Sequence, residues 1–246
     1  MTNPISESNE TPVPPRETVD QGARVLTFGP RALGMVLVKP RDRYDEPSLS
    51  NLFWGALARA QYQVLVPPGM AVRIEMKDLR SDDDLVPMAE AAVDVIDELH
   101  LLNQPITSEG FSHLAGQRSL RLLDLYRTRI SSTTLLEIAG MSKLEWLSLT
   151  GVFLGPAGAR RLAVLPPVKR LSLRGTSIGT DEIRHIVHEN LTWLSMADTD
   201  LTDRGLREIA EFPALETLAV NGTGVTADGV AAFWARRPDV ELIGHG

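Results

Sequence analysis

From residue 96 onward, apolar positions recur at a period longer than any single helix or strand. The unit is a six-residue stretch with apolar residues at its first, fourth and sixth places. It reads Ile96, Leu99, Leu101 in its first clear copy and Leu120, Leu123, Leu125 in the next. Further copies are Leu144/Leu147/Leu149, Val168/Leu171/Leu173, Leu191/Leu194/Met196 and Leu215/Leu218/Val220. The copies start at 96, 120, 144, 168, 191 and 215, so they are spaced by 24, 24, 24, 23 and 24 residues. Such self-similarity marks a repeat architecture, in which each unit buries its apolar side against its neighbours. Each stretch predicts a short strand whose leucines point inward and whose intervening residues point out.

Two further patterns follow each strand at fixed distance. Threonines 128, 176, 199 and 223 fall at the turn, where a hydroxyl can satisfy backbone left unpaired at the bend. Residues Thr107, Ser131, Thr202 and Thr226 come next, placed to N-cap a short helix. The apolar pairs Leu114/Ala115, Ile138/Ala139, Leu162/Ala163, Ile186/Val187 and Ile209/Ala210 then close each unit. Leu206, Ile209 and Ala210 have the spacing of a helix packing back on the strand.

On these residues the chain resembles the leucine-rich-repeat superfamily over about residues 96–243. It is similar to the cysteine-containing, F-box-associated subtype, in a bacterial form with threonine where that class has cysteine. The best copies of its turn-and-helix motif are Thr199-Asp200-Leu201-Thr202-Asp203-Arg204-Gly205-Leu206 and Thr223-Gly224-Val225-Thr226-Ala227-Asp228-Gly229-Val230. The resemblance implies an α/β fold: a right-handed solenoid, or horseshoe, with a parallel concave sheet and short convex helices. It also implies binding of a partner on the concave sheet.

The remainder of the chain is read around that array. The solenoid is expected over 71–246, with a degenerate first repeat at 71–95, six repeats at 96–239 and a C-terminal half-strand at 240–246. In the degenerate unit Ile74 and Met76 mimic the strand leucines, and Leu85 to Val93 read as its helix. The Asp82-Asp83-Asp84 run would sit at that helix's N-terminus and complement its dipole. Residues 21–70 do not follow the period and are expected to form an N-terminal α/β cap. Residues 25–28, 35–38 and 64–66 read as strands, and 49–60 as a helix with Leu52, Phe53, Ala56, Leu57 and Ala60 on one face. Residues 1–20 are polar, carry Pro4, Pro12, Pro14 and Pro15, and read as a disordered tail without a secretory signal.

The chain has 246 residues, a formal net charge of −7 and no cysteine. The charge argues against nucleic acid as a partner, because phosphate binding draws on lysine and arginine. The lack of cysteine excludes disulfides, thiolate metal sites and thiol nucleophiles, and points to a cytoplasmic protein. No apolar run is long enough to span a membrane. No hydrolase, phosphate-loop, dinucleotide or zinc-protease motif occurs. His185 and His188 make two ligands without a third, and the aspartate run has no second acidic cluster, so no metal or cofactor is expected.

The outward strand positions carry the functional expectation. The second position holds Asp97, Arg121, Glu145, Lys169, Thr192 and Glu216, where alternating charges between adjacent strands predict a self-neutralising ladder. The third holds Glu98, Leu122, Trp146, Arg170, Trp193 and Thr217. Two of the four tryptophans therefore fall on this face, about 10 Å apart with Arg170 between them. Trp, Tyr and Arg dominate binding hot spots. Leu122, Tyr126, Trp146, Arg170, Arg174 and Trp193 are thus the expected protein-binding surface of a non-catalytic scaffold. An internal cation–π stack of Arg170 between the indoles is the competing explanation of that row. The alternative function is an enzyme or assembly subunit whose active or docking surface lies in residues 21–70.

Overall fold

The computed structural model describes residues 23–45, 47–49, 53–90, 95–186 and 189–245. The expected tail over 1–20 lies outside them, as do Leu52, Val187 and His188. The chain opens with β1 (Arg24–Thr27), β2 (Gly34–Pro40), β3 (Gly55–Arg59), β4 (Gln63–Val66) and β5 (Met70–Met76). Then α1 (Val86–Glu90) leads into a regular alternation. Its strands are β6 (Glu98–His100), β7 (Leu122–Asp124), β8 (Trp146–Ser148), β9 (Arg170–Ser172), β10 (Trp193–Ser195), β11 (Thr217–Ala219) and β12 (Glu241–Ile243). Between them lie α2 (Ser108–Ser112), α3 (Thr134–Ile138), α4 (Gly155–Arg161), the 3-10 helix Thr180–His185, α5 (Asp203–Ile209) and α6 (Ala227–Arg236).

Equal spacing puts equivalent residues side by side. Strands β5 to β12 pair in parallel, and Ile74, Leu99, Leu123, Leu147, Leu171, Leu194, Leu218 and Leu242 stand opposite one another from strand to strand. All but Leu242 are completely buried, and Leu242 is nearly so. At β5 the sheet continues antiparallel through β2 to β3, giving ten strands in all, while β1 and β4 form a separate pair. One apolar cluster runs from Leu26 to Leu242.

The turn threonines act as their position predicts. Thr128, Thr176, Thr199 and Thr223 each donate their hydroxyl to the carbonyl three residues back, at 2.9, 2.6, 2.6 and 2.6 Å. One residue before each of these places, the chain turns in the left-handed region. Asn103, Arg127, Gly151, Gly175, Asp198 and Gly222 have φ between 50° and 70°. Asparagine, aspartate and glycine adopt that conformation at the least cost, which explains five of the six choices.

Two of the four Ser/Thr positions expected to cap do so through their side chains; Thr202 makes no side-chain cap bond, and the residue preceding α3 is Thr133, not Ser131. Thr107 and Thr226 accept from backbone amides of their own helices. They also reach back one repeat. The Thr226 amide and hydroxyl donate to the two Asp203 carboxylate oxygens at 2.8 and 2.7 Å, and Thr107 does the same to Asp82 at 2.8 and 2.5 Å. Thr202 lies against Thr180 and Ser131 against Ser108 in the same way. A Cβ on Gly229 would come within 2.0 Å of the Asp203 carboxylate, so the motif's glycine leaves room for the link. Asp82 of the aspartate run is therefore a tie between repeats.

The Thr226 donors hold the Asp203 carboxyl below the usual carboxylate range. Burial pushes Asp82 up, but the Thr107 donors outweigh it and hold that carboxyl low as well. A depressed carboxyl stabilises the fold fully above its unfolded pKa, and that contribution is lost as pH falls through the folded value. Stability should hold level above about pH 5 and decline progressively below about pH 4. Asp203→Ala should cost about 1 kcal/mol, at the low end for a charged hydrogen bond because the link is near the surface. Urea unfolding at pH 7 and pH 3 checks both statements; a variant that loses as much at pH 3 as at pH 7 would contradict them.

The helix predicted over 49–60 is not formed over its described residues 53–60. Gly55–Arg59 is strand β3, paired antiparallel to β2 with Val36 opposite Ala58 and Leu37 opposite Ala56. Alanine and leucine at these positions fit helical spacing, but short apolar runs do not separate helix from strand. Pairing with β2 satisfies the backbone of the segment, and that tertiary demand overrides local propensity.

Candidate functional site

The sheet face opposite the leucine core divides in two. Over β5 to β7 it is covered by described residues between β2 and β3, Tyr44 and Trp54 among them. Tyr44 and Trp54 are buried there and meet edge to face, 6.1 Å between centroids. Beneath them Arg73 is fully buried and donates from Nε to Glu98 at 2.7 Å, while the Tyr44 hydroxyl donates to the same carboxylate at 2.9 Å. Cations fill the gaps. Lys39 lies 4.3 Å from the Tyr44 ring centre and 4.9 Å from that of Trp54, and Arg121 lies 4.5 Å from Tyr44. Arg41 clamps Asp97 with two 2.8 Å bonds, and Asp97 also accepts from the Val72 amide at 2.9 Å.

The electrostatics follow from this burial. Loss of water and the adjacent Glu98 push the Tyr44 phenol far up. Burial also pushes Glu98 up, but His100, Arg73 and Tyr44 together outweigh it and hold the carboxyl low. Burial lowers Lys39. Leu122, next after Glu98 in the same row, is fully buried. It is therefore not the accessible contact its strand position predicts, because the covering segment closes this end of the face.

Beyond β7 the face is open and forms a groove of about 770 Å³. One wall is Trp146 and Trp193, each half-buried. Their ring centres are 6.3 Å apart with planes at 45°, so they touch directly and are not held 10 Å apart by Arg170. Long side chains two strands apart can lean together, and these do. Arg170 lies 5.1 Å from the Trp146 ring. The indole N–H of Trp146 is buried without an acceptor among the described residues.

The floor is the fifth strand position: Ser148, Ser172, Ser195 and Ala219. Ser148 and Ser172 share a hydroxyl chain through Thr150, at 3.3 and 2.7 Å. Ser195 is 4% exposed. The other rim carries Tyr126 with Arg127 stacked 5.2 Å from its ring, and Arg174, which binds Asp198 at 2.8 Å. Tyr126, Trp146, Arg174 and Trp193 thus share one groove; Arg170, against the Trp146 ring, and the buried Leu122 are not part of its lining.

The charge ladder forms in part. Glu145 takes Arg121 on one oxygen and Lys169 at 2.8 Å on the other. Burial pushes Glu145 up, and the two cations outweigh it and hold the carboxyl low. Asp97 leaves the ladder for Arg41. The floor row and the covering segment were missed by the sequence reading. The first was legible in the same periodicity, two residues beyond the third strand position. The second has no repeat to announce it.

Among the described residues no group of three or more His, Asp or Glu could hold a metal ion. No described helix is long and apolar enough to cross a membrane.

The parallel sheet built from 24-residue units, each with inward leucines, is a leucine-rich-repeat-like fold. No protein-family model matches the chain, and no curated protein matches it. Among solved structures, it is similar to a leucine-rich-repeat protein of Leptospira interrogans, with a TM-score of 0.45 and 20% identity. That match covers 60% of this chain and 36% of the other, so the chain spans about a third of that protein.

Proposed function

We propose that the chain is a non-catalytic interaction scaffold that takes a protein partner in the open groove of its sheet. The observation that carries this reading is the tryptophan wall. Two half-buried indoles in mutual contact line a groove that the fold leaves uncovered, next to a face that it covers with its own aromatic residues. Clustered Trp, Tyr and Arg in a partly desolvated setting are the usual anchors of binding energy. Residues 21–70 act in this reading as a cap on the array, with their own loop spent on closing one end.

The test is capture of partners from source-cell lysate by wild type and by a Trp146→Ala/Trp193→Ala variant of matched circular dichroism. A captured protein should bind the variant at least about thirtyfold more weakly, the loss expected when hot-spot anchors are truncated. Equal affinity would refute the groove. A second reading places docking on β1 and β4, where Val25 and Leu65 stand opposite each other, 40% and 56% exposed. Loss of capture by Leu65→Asp, with retention by the tryptophan variant, would move the site there.

A further inference from the structure

Three carboxylates on this sheet are more than nine-tenths buried: Asp97, Glu98 and Asp124. Buried charges in folded proteins are paired, because an isolated one gives up its hydration for nothing. Asp97 has Arg41 and Glu98 has Arg73. Asp124 has neither lysine nor arginine among the described residues. Its Oδ1 accepts from the Tyr126 amide at 3.1 Å, and its Oδ2 has the His100 ring at 3.9 Å, beyond hydrogen-bond reach.

Asp124 sits at the closed end of the groove, in the floor row ahead of Ser148. Leu49, Leu102 and Tyr126 line the groove around it, and Leu49 and Leu102 are 48% and 41% exposed. A carboxylate at the end of the floor, beneath apolar and aromatic surfaces, suits a long side chain with a cationic end, whose methylenes pack on the walls. Arg127 stands nearby, but it is exposed and stacked on Tyr126, so solvent screens it. The net charge of −7 favours the approach of a basic partner from a distance.

We infer that the groove is specific for a basic segment, and that Asp124 is the subsite for one arginine or lysine side chain of the bound partner. The inference rests on the groove being the binding site. It adds the chemistry of the occupant: the partner supplies the cation that the fold supplies to Asp97 and Glu98 but withholds from Asp124.

The test uses three synthetic octapeptides of alanine and serine, identical except for a central arginine, citrulline or glutamate. Citrulline keeps the shape of arginine and removes its charge. Binding to the full chain is read from the indole N–H resonances of Trp146 and Trp193. The arginine peptide should bind at least ~10-fold more tightly than the citrulline peptide, and glutamate should be weakest. Asp124→Asn should abolish the difference between arginine and citrulline. It should leave the melting temperature of the free protein unchanged or raised, since it removes an unpaired buried charge. A purely structural aspartate would instead lower it. Wild type alone decides if the variant fails to fold: no preference for arginine, whether through equal binding or none, overturns the inference. A partner that depends on the tryptophans while arginine and citrulline peptides bind alike would sink this inference and leave the groove standing.

Discussion

Replacing Glu98 by alanine should cost the folded chain about 3–5 kcal/mol, the range for breaking a buried ion pair from one side. The substitution strips a completely buried guanidinium, Arg73, of a carboxylate that accepts from its Nε at 2.7 Å. It also leaves the Tyr44 hydroxyl without the acceptor it now has at 2.9 Å. The loss is asymmetric, because what remains is a buried charge and not an apolar gap. An Arg73→Met/Glu98→Leu double variant should therefore recover most of the stability lost by Glu98→Ala. Urea midpoints measure both. Near-ultraviolet circular dichroism, to which the buried Tyr44 and Trp54 contribute, should show their surroundings loosening in the single variant and restored in the double. A single variant as stable as wild type would mean that Glu98 does not hold the cover in place.

Leu171→Ala should cost about 3 kcal/mol and lower the melting temperature by roughly 6–12 °C. Leu171 is completely buried at the middle of the array, with Leu147 on one side and Leu194 on the other in direct register. Removing its side chain opens a cavity between units that are each supported by their immediate neighbours. Leu242→Ala should cost less, because Leu242 is 5% exposed and faces a strand partner, Leu218, on one side. Thermal unfolding of the two variants compares them; equal losses would contradict a stability built from neighbour contacts.

These expectations draw on different amounts of sequence information. The leucine ladder repeats six times and the turn threonines and helix starts four times each, so each is legible from spacing alone. The inter-repeat links follow the same rule, since Asp203 with Thr226 and Asp82 with Thr107 are separated by 23 and 25 residues, about one period. The site is only half legible. Strand position places Tyr126, Trp146, Arg170, Arg174 and Trp193 on one face, and the structure brings all of them but Arg170 to one groove. Strand position puts Leu122 there too, and the structure buries it.

The sequence by itself determined the period, the parallel pairing and the inward and outward choice at each strand residue. Those contacts join residue i to residue i+24, and the same pattern in every unit reports them many times over. Only the tertiary structure decided that 55–59 is a strand, that Tyr44 and Trp54 close one end of the face, and that the two indoles touch. Each of these is a single long-range event. Local spacing near 55–59 fits a helix equally well, and the pairing energy offered by β2 settles it. The clamp of Arg41 on Asp97 and of Arg73 on Glu98 joins residues 56 and 25 apart without repetition. Burial then turns those pairs from surface charges into the contacts that fix which half of the face remains open.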